Sequence, residues 1–241
     1  MLSKTRGIAI HQIKYSETSI VAYVYTEQYG RQAYLVKGAR GKNAVIRSSL
    51  FQPLYLLDME VYHKSNTELQ KIKEVVNTPV YGSIPFQSVK TAISIFLAEV
   101  LYRTVREETQ NPSLFSFIYH SAQIFDVMEK GIADFHLVFL MQLTKYLGFY
   151  PSNNFGTDSQ LFDLLSGRFV ASVPFHGQII EPRIGMKFAQ LTTISFDQMN
   201  ILHFNSSERR EILAYLIDFY KCHVEGMGHI RSLAVLSEVF R

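Results

Sequence analysis

Cysteine is almost missing from this sequence: Cys222 stands alone in 241 residues. An intrachain disulfide is excluded, and no zinc site can draw on more than one thiolate. Long apolar runs are missing too. The stretch near 135–143 is too short and too interrupted to span a bilayer. The opening Met1-Leu2-Ser3-Lys4-Thr5-Arg6-Gly7 has no signal-type apolar core. These features predict a cytoplasmic protein with no membrane partner. Catalytic signatures are equally scarce, with no P-loop, HExxH, DxD-type carboxylate cluster or GxSxG. His176, His223 and His229 show no metal-ligand spacing. The expectation is a non-enzymatic chain without cofactor or metal. No internal repeat or low-complexity segment occurs.

Acidic residues are scarce in one stretch in particular. None lies between Glu27 and Asp58, while Arg31, Lys37, Arg40, Lys42 and Arg47 all fall there. Residues 1–75 hold eleven Lys/Arg against six Asp/Glu, and residues 76–241 hold thirteen against fifteen. The net charge of +3 is mild, but its positive part belongs to the N-terminal third. Such asymmetry points to nucleic acid or an acidic surface as partner.

What is present begins with period-two alternation. Residues 3–15, 19–28, 31–38, 50–63 and 67–76 read as strands rich in β-branched and aromatic residues. In the fourth, Tyr55, Leu57, Met59 and Val61 share a face. Five strands in so short a span, with no helix among them, predict a small closed barrel. At Pro79–Pro85 the character changes, as at a domain joint. Helical spacing follows through Val89, Ile93, Phe96, Leu97, Val100, Leu101 and Val105. Asn111 caps a second helix that starts at Pro112. A third, apolar nearly all round, covers about 132–147. Residues 161–171 suit either a short helix or a strand pair around Gly167, and 186–204 short helical pieces. An amphipathic helix spans 207–224, with Ser206 or Ser207 as its N-cap, and a last one about 232–240.

Five segments stand in a telling order: Thr5-Arg6-Gly7-Ile8-Ala9-Ile10, Tyr15-Ser16-Glu17-Thr18-Ser19, Thr26-Glu27-Gln28-Tyr29-Gly30-Arg31 leading to Lys37-Gly38-Ala39-Arg40, Leu50-Phe51-Gln52-Pro53-Leu54, and the closing segment from His223. With these in this order the chain resembles the RecO family of bacterial recombination and repair mediators. The resemblance implies an α+β multidomain chain. An OB-fold barrel would occupy 1–79, and helical regions 80–150 and 186–241. Residues 151–185 would be a zinc-ribbon-like insertion. Many relatives carry two CxxC pairs there, after an element matching Gly148-Phe149-Tyr150-Pro151. This insertion has no cysteine. The expectation is a degenerate ribbon without zinc, held by Phe155, Phe162, Phe169 and Phe175.

The resemblance further implies binding of single- and double-stranded DNA, annealing of complementary strands and help in loading recombinase. Its implied protein partners are RecR and the C-terminal tail of the single-stranded-DNA-binding protein. Lys37 and Arg40 lead the DNA-binding candidates, because a strand end and its loop can address one phosphate backbone. Arg31, Lys42, Arg47, Arg6, Lys4 and Lys14 follow. Tyr23, Tyr25, Tyr34 and Tyr55 read as barrel packing rather than base platforms. Arg103, Arg106 and Lys145 are the cations available to a tail-peptide pocket. The rival reading is an interaction scaffold whose basic face binds an acidic protein.

Overall fold

A computed structural model describes residues 1–240. They form two compact units, 1–127 with 230–233 and 128–229 with the residues from 234 onward.

In the first unit, strands β1 (Leu2–Lys14), β2 (Ile20–Thr26), β3 (Gly30–Val36), β4 (Leu56–Tyr62) and β5 (Leu69–Asn77) close into a barrel in the order β1-β2-β3-β5-β4. All neighbours are antiparallel except β3 and β5, which pair in parallel through Ala33–Leu69 and Tyr34–Gln70. Alternation sends Ala22, Val24, Tyr34, Leu57, Met59 and Val61 into one core with Ala9 and Phe51. Ile8 and Ile10, on the other face of β1, are also buried, and helix α1 (Ser88–Thr104) packs against that strand. Of the four tyrosines, Tyr25 and Tyr34 are buried, Tyr23 packs on Tyr102, and Tyr55 meets Tyr81 edge-on.

The fourth strand starts later than its residue pattern suggests. Ser48–Phe51 form a 3-10 turn, and Phe51 is buried. Leu54 follows Pro53 at φ 63°, a left-handed conformation unusual for leucine. Its amide still bonds the Ala9 carbonyl at 2.8 Å, and Ala9 in turn bonds Tyr55 at 2.9 Å. Only from Leu56 does the chain run as strand.

Helix α2 (Pro112–Val127) is capped as the sequence indicates: the Leu114 amide donates to Asn111 Oδ1 at 3.1 Å. Near its other end, Asp126 accepts from the Gly82, Ser83 and Ile84 amides at 2.8, 2.9 and 2.9 Å. The Pro79–Pro85 segment, inside the first unit, is thereby tied to α2. Lys90, 1% exposed, donates to the Ser83 hydroxyl and the Asp126 carbonyl, both at 2.7 Å.

The second unit contains α3 (Phe135–Leu147), whose residues 135–141 are all buried. Residues 161–171 resolve into a strand pair: β6 (Leu161–Asp163) and β7 (Arg168–Val170) join β8 (Ile179–Ile180) in the order β7-β6-β8. Helix α4 (Pro182–Thr193), a 3-10 turn (Phe196–Ile201), α5 (Ser206–His223) and α6 (Ser232–Val239) follow. Phe162, Phe169, Phe188 and Phe219 are buried, and Phe155 meets Phe169 edge-on at 5.2 Å. Phe175 is fully exposed, so it holds nothing together.

The cap of α5 is Asn205 rather than Ser206 or Ser207. Asn205 Oδ1 accepts from the Glu208 amide, and Glu208 Oε2 accepts from the Asn205 amide, each at 3.0 Å. Glu208 sits three residues beyond Asn205, and that spacing selects the cap among three adjacent capping residues.

Candidate nucleic-acid interface

The basic loop grows out of β3. After Val36 the chain turns at Gly38, whose φ of +69° suits glycine. Ala39 then dips into the barrel core at 3% exposure. Its carbonyl accepts from Ser48 at 3.0 Å, and the Arg40 amide donates to Thr18 at 3.0 Å. Within the loop, Gly41 bonds Gly38 at 2.9 Å and Ala44 bonds Gly41 at 3.2 Å. A short loop anchored in this way has its cations in fixed places. Lys37 and Arg40 flank the buried Ala39 and are both exposed. The Ser48 amide bond to Ala39 returns the chain at Arg47 to the start of the loop, and Lys42 and Arg47 are exposed.

The apolar side of the loop folds toward β5. Leu35, Val36, Lys37, Val45, Ile46, Lys71 and Ile72 line a cleft of about 280 Å³. It opens just beyond the two residues through which β3 and β5 pair. Lys71 thus joins the cluster. Nothing in the local sequence singles it out, because only closure of the barrel brings β5 beside β3.

Among the described residues, Lys37, Arg40, Lys42, Arg47 and Lys71 have no carboxylate partner within salt-bridge reach. The only side-chain hydrogen bond among them is weak, from Arg40 Nη1 to the Glu17 carbonyl at 3.4 Å.

The remaining sequence candidates stand apart. Arg6 grips Glu27 with two hydrogen bonds, at 2.9 and 2.6 Å. Its guanidinium lies 4.7 Å from the Tyr119 ring centre and 5.5 Å from that of Phe115. The hydrogen bond to Glu27 raises the Arg6 pKa further, and the same bond lowers that of Glu27. Arg31 leans on α1, donating to the Tyr102 carbonyl at 3.3 Å with its guanidinium 5.6 Å from that ring centre. Lys4 is exposed on β1 and shares a shallow depression with Asp58, Glu60 and Glu74. Lys14 ends β1, at the turn on which Arg40 docks. Of the cations offered to a tail peptide, Arg103 pairs with Glu99 at 3.5 Å, Arg106 donates to the Arg103 carbonyl at 3.0 Å, and Lys145 sits 4.5 Å from the Tyr150 ring centre.

A closed five-stranded barrel with an anchored basic loop, followed by a helical region, places the chain among proteins built on an OB-type barrel. Comparison with known proteins narrows the class. The family model "Recombination protein O N terminal" matches residues 1–79, and "Recombination protein O C terminal" matches residues 86–234. DNA repair protein RecO of Bacteroides fragilis is 39% identical, with 100% of both chains covered. The RecO proteins of Flavobacterium psychrophilum and Phocaeicola vulgatus are 35% and 33% identical, again over 100% of both chains. The chain belongs to the RecO family of DNA repair proteins.

Proposed function

We propose that this chain is a non-enzymatic DNA-binding mediator whose basic loop grips the phosphate backbone. The observation that carries this reading is one cluster of five exposed, unpaired cations: Lys37, Arg40, Lys42, Arg47 and Lys71. Phosphate contacts of this kind carry no sequence information, which suits a protein that must act on any sequence. Neutralising two strands while leaving their bases free would favour annealing. Family membership supports recombinase loading as the outcome, with RecR and the tail of the single-stranded-DNA-binding protein as partners. We also assign 1–79 as the DNA-binding domain, and 151–185 as a ribbon that keeps its small sheet without a metal.

The test is fluorescence anisotropy of a labelled oligonucleotide at two salt concentrations, with wild type and Lys37→Ala/Arg40→Ala. The variant is expected to lose most of the affinity, and its log–log salt slope to shrink by about 1.5. Equal affinity in both proteins would move the DNA site elsewhere. No binding by wild type would favour the scaffold reading, in which the loop meets an acidic protein.

A further inference from the structure

The cleft beside the basic loop has a chemistry that phosphate binding does not use. Leu35, Ile46 and Ile72 offer it partly exposed aliphatic surface, and the exposed Val45 lies in its lining. Val45 is 98% exposed, so the loop presents an apolar side chain among its cations. Lys37 and Lys71 are the only charged residues in the lining.

We infer that this cleft takes one unstacked base of a single-stranded nucleic acid, with Lys37 and Lys71 on the phosphates either side and Val45 closing over the base. The inference rests on the DNA-binding reading above and makes it specific. Three observations carry it. The volume, about 280 Å³, lies just below the roughly 300 Å³ at which pockets for drug-sized ligands begin. One flat heterocycle has room there. The walls are aliphatic, so they favour an apolar face over a hydrated edge. The charges are both positive and unpaired, and single-stranded nucleic acid offers an apolar ring between two anions.

Two properties follow. The lining side chains hold no acceptor, and with both lysines on phosphates they spare no donor for a base edge, so the cleft tolerates any base. A duplex must first unstack and unpair a base to fill it. Its seat is therefore selective for single strands, although the loop around it can bind either form.

The test compares three labelled ligands of equal length by anisotropy: a thymidine oligomer, the same backbone with abasic tetrahydrofuran units, and a duplex. Wild type is expected to bind the thymidine oligomer about fivefold more tightly than the abasic one, near the low end of base stacking on protein side chains. Val45→Ser, at an exposed position, should fold normally. It should bring that ratio toward one while leaving duplex affinity and salt slope unchanged. Lys71→Ala should weaken both single strands alike and keep the ratio. Equal binding of thymidine and abasic oligomers by wild type overturns the inference but leaves the phosphate reading intact. Loss of all three ligands sinks both. An acidic, apolar peptide that displaces the loop's ligand with no base preference present assigns the cleft to a protein partner and also overturns the inference.

Discussion

Two arginines of this barrel show why the same side chain can serve structure or ligand. Arg6 and Arg40 are both exposed by area. Arg6 spends its planar fork on Glu27 and its faces on Tyr119 and Phe115. Arg40 has only a long contact with a backbone carbonyl. Arg6→Ala should therefore destabilise the fold by about 1 kcal/mol through the lost pair and lost ring cover, and leave oligonucleotide affinity unchanged. Arg40→Ala should do the reverse, with stability within about 0.5 kcal/mol of wild type. Urea unfolding beside anisotropy reads both. The pair also has a pH signature. The Arg6 hydrogen bonds hold the Glu27 carboxyl below its ordinary value. Their contribution is present in full above the unfolded glutamate pKa of about 4.3, and fades as pH falls through the lower folded value. The stability gap between wild type and Arg6→Ala should narrow from pH 7 to pH 3.5. A gap that stays constant would mean that ring packing, not charge, is what Arg6 supplies.

At the scale of elements, turns and joints are fixed by backbone contacts that leave uneven traces in the sequence. The β2–β3 turn passes through Gly30 at φ +61°, where an added Cβ would stand 2.5 Å from the Glu107 and Thr109 carbonyl oxygens. Beside it the Arg31 amide donates to Glu107 at 2.9 Å. Gly30→Ala should thus cost about 1–3 kcal/mol, from strain and from displacement of the 107–109 segment, and thermal unfolding would measure it. The Asp126 carboxylate plays the matching part at the Pro79–Pro85 segment. Burial pushes its carboxyl up, but three amides and the Ser83 hydroxyl more than reverse that, leaving it below the ordinary value. Asp126→Ala should cost about 1–3 kcal/mol at pH 7, because those amides lose their acceptor. The loss should diminish in acid, as wild type itself becomes protonated. The strands were legible because alternation reports a half-buried surface directly, and the α2 cap because Asn111 acts locally; the α5 cap was misplaced because Asn205, Ser206 and Ser207 can all cap and only the spacing to Glu208 selects Asn205. The onset of β4 was not legible. Leu54 adopts its left-handed turn where its amide donates to the Ala9 carbonyl, a contact distant in sequence. Phe175 misled for the opposite reason: an aromatic residue predicts burial only when something comes to cover it.

At the scale of the whole chain, positive charge is concentrated in the first 75 residues, and the fold sorts it further. Glu27 neutralises Arg6 and Glu60 neutralises Lys73, while Lys4 sits among acids. Of the rest, Lys37, Arg40, Lys42, Arg47 and Lys71 gather at one loop and one strand edge, while Arg31 leans on α1 and Lys14 and Lys64 stand at other turns. Sequence spacing exposed the loop's share of this cluster, but Lys71 belongs to it only through the parallel seam between β3 and β5. The size of the cluster sets a measurable exponent. Each phosphate contact releases counterions in proportion to the charge density of the nucleic acid, about 0.9 per contact on duplex and about 0.7 on single strands. With all five cations engaged, log affinity should fall against log salt with a slope of about −4.5 on duplex and about −3.5 on single strands. Lys71→Ala should lower each by about one contact's worth. Lys145→Ala, whose ammonium lies over Tyr150 in the other unit, should change neither. A titration series from low to moderate salt decides the matter. Slopes near −2 would restrict the contact to Lys37 and Arg40, and slopes well beyond −5 would require cations outside the barrel, so that Lys145→Ala would then reduce them.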